Sequence, residues 1–354
     1  MAKNNNLHAA KTAKNDEFYT QLVDIENELQ HYQDFFKDKV VMCNCDDPLE
    51  SNFTKYFILN FHHLGLKKLI STFYDINGGK AFVFEYEGQD MNNDGIINMD
   101  DIKIITTSGL FRTPLSDDDG FDIENKDECW GNGIYGSGDF RSKNVISYLK
   151  QADVVVTNPP FSLFRDYVKQ LMDYNKKFLI IGNLNAITYK EIFPLIKENK
   201  IWFGSTYFNG GAAYFYGDAK VFDVNKIANP KNAWVEDGKL YWRVNGVRWF
   251  TNIDHKKRNT PLDLYKRYNT TDYPKYDNYD AIEVSKVVEI PEDYNGVMGV
   301  PISFIDKYCP TQFEIVGLMS GAKDESLING NDGRTKFYID GKGVYARILI
   351  RKFV

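Results

Sequence analysis

The pattern of apolar and polar positions predicts alternating strands and helices through most of the chain. Short β-branched or aromatic runs alternate with stretches in which apolar residues have helical spacing. This alternation is typical of an α/β fold with a mostly parallel, doubly wound, Rossmann-like sheet. The predicted strands are 39–43, 68–74, 81–86, 153–157, 178–183 and 200–203, and the predicted helices are 15–32, 51–61, 144–150, 162–172 and 189–199.

The strand that begins at Asp153 is followed by an abrupt turn, Asn158-Pro159-Pro160-Phe161. Neither proline donates a backbone N–H and each restricts the residue before it, so the ladder cannot continue. Such a turn is expected at the carboxyl end of a strand, where open α/β sheets bind ligands. The Asn158 side-chain oxygen and the Pro159 carbonyl are two acceptors for the hydrogens of a planar amino group, and Phe161 can stack on its ring. A turn that merely ends the strand is the alternative interpretation.

The second half of the chain predicts a domain boundary. Residues 241–252 alternate aromatic and basic residues and predict an antiparallel strand that closes the sheet. The catalytic domain is predicted to span residues 1–256, with an acidic insertion near 85–137. Residues 257–354 form a smaller C-terminal region with strand-like runs at 281–288, 312–318 and 344–350.

Composition narrows the class of protein. The chain has 354 residues, of which 15% are aromatic, so a sizeable core is expected. The sequence contains no apolar run of about 18 residues, so a membrane span is not expected, and the first residues have no apolar signal core. The four cysteines are irregularly spaced, which favours a reducing cytoplasm over a disulfide framework or a four-ligand zinc site.

The charge distribution permits nucleic-acid binding although the net charge is −6. Residues 85–128 contain thirteen acidic and three basic residues, whereas residues 239–275 contain nine basic and three acidic residues. This asymmetry allows a basic groove on an acidic protein. A solvated basic loop is equally consistent with the second segment. The candidate phosphate contacts are Lys256, Lys257, Arg258 and Arg267.

A twelve-residue loop in the acidic insertion matches the calcium-loop pattern. Oxygen-bearing side chains occupy positions 1, 3, 5 and 9, glycine occupies position 6, and a carboxylate occupies position 12. Position 12 is Asp101 rather than the usual Glu, as in dockerin-type loops. An acidic turn without metal is the alternative. The predicted ligands of a structural calcium ion are Asp90, Asn92, Asp94, Ile96, Asn98 and Asp101.

Several of these strings together resemble the EcoRI-type adenine-specific DNA methyltransferase family, whose members use S-adenosylmethionine. The resemblance covers most of the chain and rests on Asn15–Thr20, Cys43–Pro48, Ser51–Phe53, Gly138–Ser142, Asn158–Phe161 and Trp249–Asn252. It implies that Asn158, Pro159, Pro160 and Phe161 form the catalytic turn for a flipped adenine. It implies cofactor contacts at Phe18, Tyr19, Asn44, Asp139 and Phe140, and at either Asp46 or Asp47. Asp75, at the end of the second strand, is expected to bind ribose hydroxyls unless it is a turn residue.

The predicted function is therefore methylation of the adenine amino nitrogen in duplex DNA, in restriction-modification or epigenetic marking. The C-terminal region is expected to recognise the target, in a prokaryotic or phage-infected cell. The sequence leaves open whether a cognate endonuclease exists, and any such enzyme is expected to be encoded elsewhere. RNA or a protein glutamine is the alternative substrate. Two other hypotheses are a DNA-binding module with a decayed active site and a calcium-responsive binder built around residues 90–101.

Overall fold

The computed structural model describes residues 19–44, 51–75, 80–108, 111–115, 138–208, 212–218, 233–236, 238–319 and 337–353. The chain divides into two compact units. Residues 1–184 and 206–253 form the first unit, and residues 185–205 and 254–354 form the second. The sequence-based boundary at residue 256 assigned residues 185–205 to the catalytic domain, whereas the structure groups them with the C-terminal residues.

The first unit contains five helices and eleven strands in its described part. The helices are α1 (Leu22–Leu29), α2 (Asn52–Leu59), α3 (Met99–Ser108), α4 (Lys143–Gln151) and α5 (Phe164–Asp173). The strands are β1 (Tyr19–Thr20), β2 (Val40–Asn44), β3 (Lys68–Asp75), β4 (Lys80–Tyr86), β5 (Arg112–Leu115), β6 (Val154–Thr157) and β7 (Lys177–Asn183), followed after β8 of the second unit by β9 (Ala212–Asp218), β10 (Ala233–Glu236), β11 (Lys239–Val244) and β12 (Val247–Thr251).

The large sheet of this unit has the strand order β5-β4-β3-β2-β6-β7-β12. Strands β3, β2, β6 and β7 are parallel neighbours, whereas β4, β5 and β12 are antiparallel. The chain moves from β2 to β3 on one side and returns to β6 on the other, so the strand order reverses at β2. The doubly wound α/β sheet expected from the sequence is confirmed.

Burial explains why these segments form strands and helices. All five residues of β2 and all four of β6 are buried, as expected for strands covered on both faces. Helix α5 buries one face, with Phe164, Val168 and Leu171 among its buried residues. Phe164 meets Phe250 of β12 at a ring-centroid distance of 5.0 Å, which packs this helix on the sheet.

A second, small sheet of the first unit has the order β1-β9-β11-β10, and all its pairs are antiparallel. This sheet was not predicted. The segment 241–252 was expected to be one closing strand, but it is divided at residues 245–246. Residues 247–251 do pair antiparallel with β7, whereas the residues before the turn belong to the small sheet.

The second unit is built on a sheet with the order β13-β14-β15-β19-β16. Its elements are α6 (Phe193–Lys197), β8 (Trp202–Phe203), β13 (Lys275–Tyr276), β14 (Tyr279–Glu283), β15 (Met298–Pro301), β16 (Phe313–Met319), β17 (Tyr338–Ile339), β18 (Lys342–Gly343) and β19 (Arg347–Lys352). Strands β14 and β15 are parallel, and the other pairs are antiparallel.

Short 3-10 helices occur in both units. They occupy Gln30–Phe36, Phe161–Leu163, Leu184–Thr188, Lys256–Asn259, Val287–Glu289 and Ile302–Lys307.

Some predicted boundaries differ from the structure. The helix predicted over 189–199 is limited to Phe193–Lys197, and the strand predicted over 281–288 ends at Glu283. Helix α1 begins at Leu22 and is followed by a 3-10 helix rather than continuing to residue 32. Among the described helices, none has the length and apolar character that crossing a membrane requires.

Candidate active site

The parallel strands β2 and β6 end at one edge of the large sheet beside β3, which continues to Asp75, and buried polar side chains join the three strands there. Thr72 on β3 donates a hydrogen bond through Oγ1 to Oδ1 of Asn44, at 2.7 Å. Thr157 on β6 donates through Oγ1 to the backbone carbonyl of Asn44. Asn44 is the last residue of β2 and is 1% exposed. Since the strand order reverses at β2, this edge is where an open α/β sheet binds its ligand.

The Asn-Pro-Pro-Phe turn leaves the sheet at this edge, directly after Thr157. Pro159 is buried, whereas Asn158 and Phe161 are half-buried, and Oδ1 of Asn158 is shielded from solvent. The backbone N–H of Leu163 donates to the Pro160 carbonyl at 2.9 Å, within the 3-10 turn that precedes α5. Phe161 packs against the main core cluster of the first unit. The sequence therefore places a rigid turn with two acceptor groups at the ligand-binding edge.

The N-terminus of α2 connects strand β1 with the segment that follows β2. Ser51 caps this helix, because its Oγ accepts hydrogen bonds from the N–H groups of Phe53 and Thr54 at 3.1 and 3.4 Å. Asn52 donates through Nδ2 to the Thr20 carbonyl at 2.7 Å. The bond between Asn52 and Thr20 joins two of the segments that carry the family resemblance, Ser51–Phe53 and Asn15–Thr20. Phe18, Asp46 and Asp47 lie outside the described part, as do the side chains of Tyr19 and Asp75. The cofactor contacts of these five residues remain predictions.

Asp139 and Phe140 lie in the turn before α4, and both are held by neighbouring groups. The Asp139 carboxylate accepts hydrogen bonds from Nε and Nη2 of Arg141, at 2.9 and 2.8 Å. Phe140 is 2% exposed, and its ring meets Tyr167 of α5 at 4.9 Å. The Phe140 carbonyl accepts a hydrogen bond from Gln170 at 3.0 Å. The turn at Asp139 and Phe140 is thus fixed to helix α5, which follows the Asn-Pro-Pro-Phe turn, while the cofactor roles of Asp139 and Phe140 remain predictions.

The candidate phosphate contacts lie in the second unit and differ in their surroundings. Lys256 is exposed, and Arg267 is 79% exposed beside Glu292 at 3.2 Å. Lys257 donates through Nζ to the Ser205 carbonyl at 2.9 Å. Arg258 has a side chain only 12% exposed, and its guanidinium lies over a tryptophan ring at 3.7 Å. This packing favours a structural role for Arg258, whereas Lys256 and Arg267 present their charges to solvent.

The loop 90–101 has a hydrogen-bond pattern centred on its first and last carboxylates. Asp90 accepts from the N–H groups of Asn93 and Gly95 at 2.8 and 2.7 Å. Asp101 is fully buried and accepts from the N–H groups of Met91 and Asn98, both at 2.8 Å. The bond from Asn98 lowers the pKa of Asp101, against the effect of burial. Gly95 has φ +88, which the sharp turn at position 6 requires.

These contacts hold the predicted loop in a compact turn whose last residues begin α3. In the described part of the chain, no group of three or more His, Cys, Asp or Glu side chains is arranged to hold a metal ion. The predicted calcium ligands in this loop also include asparagine side chains and a backbone carbonyl. Calcium binding remains a prediction.

Sequence reasoning missed the hydroxyl residues that connect the strand ends and the partner of Asp139. Thr72 and Thr157 are fully buried, and each is a polar residue within or at the end of an apolar strand. That position was the available signal, since a buried hydroxyl must find a hydrogen-bond partner. Arg141 follows Asp139 by two residues, and its pairing could not be read from the spacing alone.

A doubly wound sheet with an Asn-Pro-Pro-Phe turn at its switch-point edge defines the class of Rossmann-like methyltransferases. The sequence model of one family, described as adenine-specific methyltransferase EcoRI, matches residues 6–353. The chain belongs to this family and is an adenine-specific DNA methyltransferase, for which S-adenosylmethionine is the methyl donor of the class.

The relatives agree with this assignment. The Type II methyltransferase M.EcoRI of Escherichia coli is 44% identical over 99% of this chain and 97% of its own length. Type II methyltransferase M.MgeORF184P of Mycoplasma genitalium and Type II methyltransferase M.MpnI of Mycoplasma pneumoniae are each 35% identical, over 98% of both chains. No solved structure gives a match. The resemblance drawn from the motifs is confirmed, and restriction-modification is the setting that the Type II names indicate.

Proposed function

We propose that the enzyme transfers a methyl group from S-adenosylmethionine to the exocyclic amino nitrogen of an adenine flipped out of duplex DNA. The observation that carries this proposal is the position of the Asn158–Phe161 turn. It leaves β6 at the edge where β2 and β6 end and where side-chain hydrogen bonds join them to each other and to β3. An adenine bound at this edge would meet the turn beside the segment that follows Asn44.

The residues of the turn supply the contacts that the reaction needs. Oδ1 of Asn158 and the Pro159 carbonyl accept the two amino hydrogens, which directs the nitrogen lone pair out of conjugation. Phe161 stacks on the base. Extruding the base costs a few kcal/mol, and these contacts offset that cost. No strong general base is required, because the amino proton becomes acidic only as the nitrogen is alkylated, and water can accept it.

The polar groups at the edge suit an adenosine-containing cofactor. Asn44 and Thr72 are bonded to each other beside the end of β2, and Asp139 provides a carboxylate that is 26% exposed beside Arg141. We assign cofactor contacts to Asn44, Asp139 and Phe140, and to Phe18, Tyr19, Asp75 and either Asp46 or Asp47 by resemblance. Oδ1 of Asn44 also accepts a hydrogen bond from Thr72, which orients the Asn44 side chain at the end of β2.

The second unit is proposed to carry target recognition. Lys256 and Arg267 are exposed cations, and Lys257 is half-buried. Such residues contact phosphates and fix the register of a protein on the duplex without reading sequence. A separate endonuclease with the same target and a cytoplasmic location are part of the proposal.

The decisive experiment is transfer of labelled methyl to unmethylated duplex DNA, followed by nucleoside analysis. The wild-type enzyme should produce methylated adenine, and Asn158→Ala should abolish turnover while cofactor binding by calorimetry stays nearly unchanged. Asn158→Asp is the matched variant, because it keeps an acceptor oxygen and should retain part of the activity. Full activity of Asn158→Ala would refute the mechanism.

The same assay tests the alternative substrates. RNA and a protein glutamine also present a planar amino group to this turn. Methyl incorporation into RNA or protein but not into duplex DNA would transfer the proposal to that substrate. Absence of cofactor binding in the wild-type enzyme would instead favour a DNA-binding module without activity.

We also propose that the loop 90–101 binds a structural calcium ion through Asp90, Asn92, Asp94, the Ile96 carbonyl, Asn98 and Asp101. The bond pattern around Asp90 and Asp101 supports this, since it brings the first and last ligand positions into one compact turn. Calcium at about 100 times its Kd should stabilise the protein by about 2.7 kcal/mol. Thermal unfolding with calcium should show this for the wild type and for Asp100→Asn, but not for Asp90→Asn. An unchanged melting temperature in the wild type would exclude the ion.

A further inference from the structure

We infer that Thr157 is a positioning residue that sets the spacing between the catalytic turn and the cofactor-binding segment. Its hydroxyl donates to the carbonyl of Asn44, and the two residues are 113 positions apart in the chain. Thr157 immediately precedes Asn158, and Asn44 immediately precedes the segment in which the family resemblance implies a cofactor contact at Asp46 or Asp47. One buried bond therefore joins the two segments that must hold the methyl donor and the methyl acceptor.

The amino ends of the same two strands are fixed independently of Thr157. The Asp153 carboxylate accepts a hydrogen bond from the Val40 N–H at 2.8 Å, and the Asp153 N–H donates to the Val40 carbonyl at 2.9 Å. The backbone pairing of β2 with β6 then runs through Val41 with Val154 and Met42 with Val155. Loss of the Thr157 hydroxyl would therefore act on the carboxyl ends, while the rest of the strand pair keeps its contacts.

The neighbouring bonds show why this end of β2 depends on side chains. Thr72 bonds the side chain of Asn44 from β3, and Ser71 bonds the Cys43 carbonyl at 3.1 Å. From the β6 side, Thr157 is the hydroxyl that reaches the last residue of β2. Thr157 is fully buried, so it has no direct contact with solvent-borne substrate, and its effect on the reaction must pass through the position of Asn158 relative to Asn44.

Misplacement of reacting groups by about 1 Å can lower a rate about a hundredfold. Thr157→Val keeps the shape of the side chain and removes the donor. We expect it to reduce the single-turnover methylation rate at saturating DNA and cofactor by about tenfold or more. The KM for DNA and the Kd for cofactor should change less than about twofold, because the groups that bind them remain. Thr157→Ser restores the donor and should recover most of the rate.

A matched control separates positioning from stability. Thr251 is also fully buried, and its Oγ1 donates to the Phe178 carbonyl at 2.7 Å, at the amino end of β7. Thr251→Val should lower the melting temperature but leave the single-turnover rate of the folded enzyme unchanged. If Thr157→Val does not fold, Thr157→Cys replaces it, since a thiol is a weaker donor of similar size. Thr157→Cys should then be several-fold slower than Thr157→Ser.

The inference rests on the proposed function, and Asn158→Ala distinguishes the two. An inactive Asn158→Ala together with a wild-type rate for Thr157→Val, or with equal rates for Thr157→Cys and Thr157→Ser, would overturn the positioning role alone. An active Asn158→Ala would overturn the catalytic turn and the positioning role with it. An equal loss of rate in Thr251→Val would assign the effect of Thr157→Val to general destabilisation.

Discussion

Arg258 lies in the basic segment of the second unit, and its contacts are those of a structural residue rather than of an exposed, DNA-binding cation. Its guanidinium carbon lies 3.7 Å from the centroid of the Trp202 ring. Nη2 donates to Oδ1 of Asn199 at 3.0 Å, and Nη1 lies 3.8 Å from Oδ1 of Asp254. Burial lowers the pKa of Arg258, although arginine remains protonated at neutral pH. We therefore predict that Arg258→Ala destabilises the protein rather than weakening its phosphate contacts.

The size of the effect follows from the three contacts. A desolvated cation–π contact contributes about 2 kcal/mol, and a hydrogen bond from a charged donor contributes about 1.5 kcal/mol. The partner carboxylate of Asp254 is 66% exposed, so that ion pair adds only about 0–1 kcal/mol. Relaxation of the surrounding structure recovers part of these contributions, which leaves a fall of about 3 kcal/mol in the free energy of unfolding. With a urea m-value of about 3 kcal/mol/M, the unfolding midpoint should fall by about 1 M.

Urea unfolding and salt-dependent DNA binding together test this prediction. Arg258→Ala should lower the urea midpoint and leave the slope of log K against log salt unchanged. Lys256→Ala is the comparison, because Lys256 is exposed. It should reduce that slope by about 1 and leave the urea midpoint unchanged. The reverse result, a smaller salt slope and an unchanged midpoint for Arg258→Ala, would refute the structural role and restore Arg258 as a phosphate contact.

Three further predictions concern contacts elsewhere in the two units. In Gly182→Ala the new Cβ would overlap the Phe164 ring, so we expect the free energy of unfolding to fall by about 1–3 kcal/mol in thermal unfolding. Arg347→Met removes the bidentate partner of buried Glu283 and should cost about 3–5 kcal/mol in urea unfolding, part of which Glu283→Gln should restore in the double variant. The lowered pKa of Asp101 gives stability that is present above its unfolded pKa of about 3.9 and lost as the pH falls through the folded value. In calcium-free buffer, Asp101→Asn should therefore lower the unfolding free energy at pH 7 more than at pH 3.

The large sheet could be predicted because its central strands are short, continuous apolar runs. In segments such as Val40–Asn44 and Val154–Thr157, a central strand of a parallel sheet is the conformation that buries every side chain. The predicted element boundaries were wrong where the alternation of apolar residues continued across a turn in the backbone. The segment 241–252 alternates throughout, yet Asn245-Gly246 is a turn dipeptide and Gly246 has φ +74. The turn signal was present and was outweighed by the alternation.

The small sheet could not be predicted from local pattern. Strand β1 has two residues, and it pairs with Tyr214 and Phe215 nearly two hundred positions later. Two-residue strands carry no usable periodicity, since alternation needs about four residues to be recognised. Such pairings depend on where the large sheet brings the chain, and they follow from tertiary structure.

The active site divides in the same way. The Asn158–Phe161 turn was predictable because its polar and aromatic groups lie in four consecutive residues, whose two prolines restrict the backbone. The groups that orient it come from separate strands, and which hydroxyl meets which carbonyl depends on strand order. Asn44 illustrates this, because its sequence position suggested a cofactor ligand while its oxygens accept from Thr72 and Thr157. A residue at β2, where the strand order reverses, can therefore serve the cofactor segment by joining three neighbouring strands, and only the neighbours of β2 reveal that role.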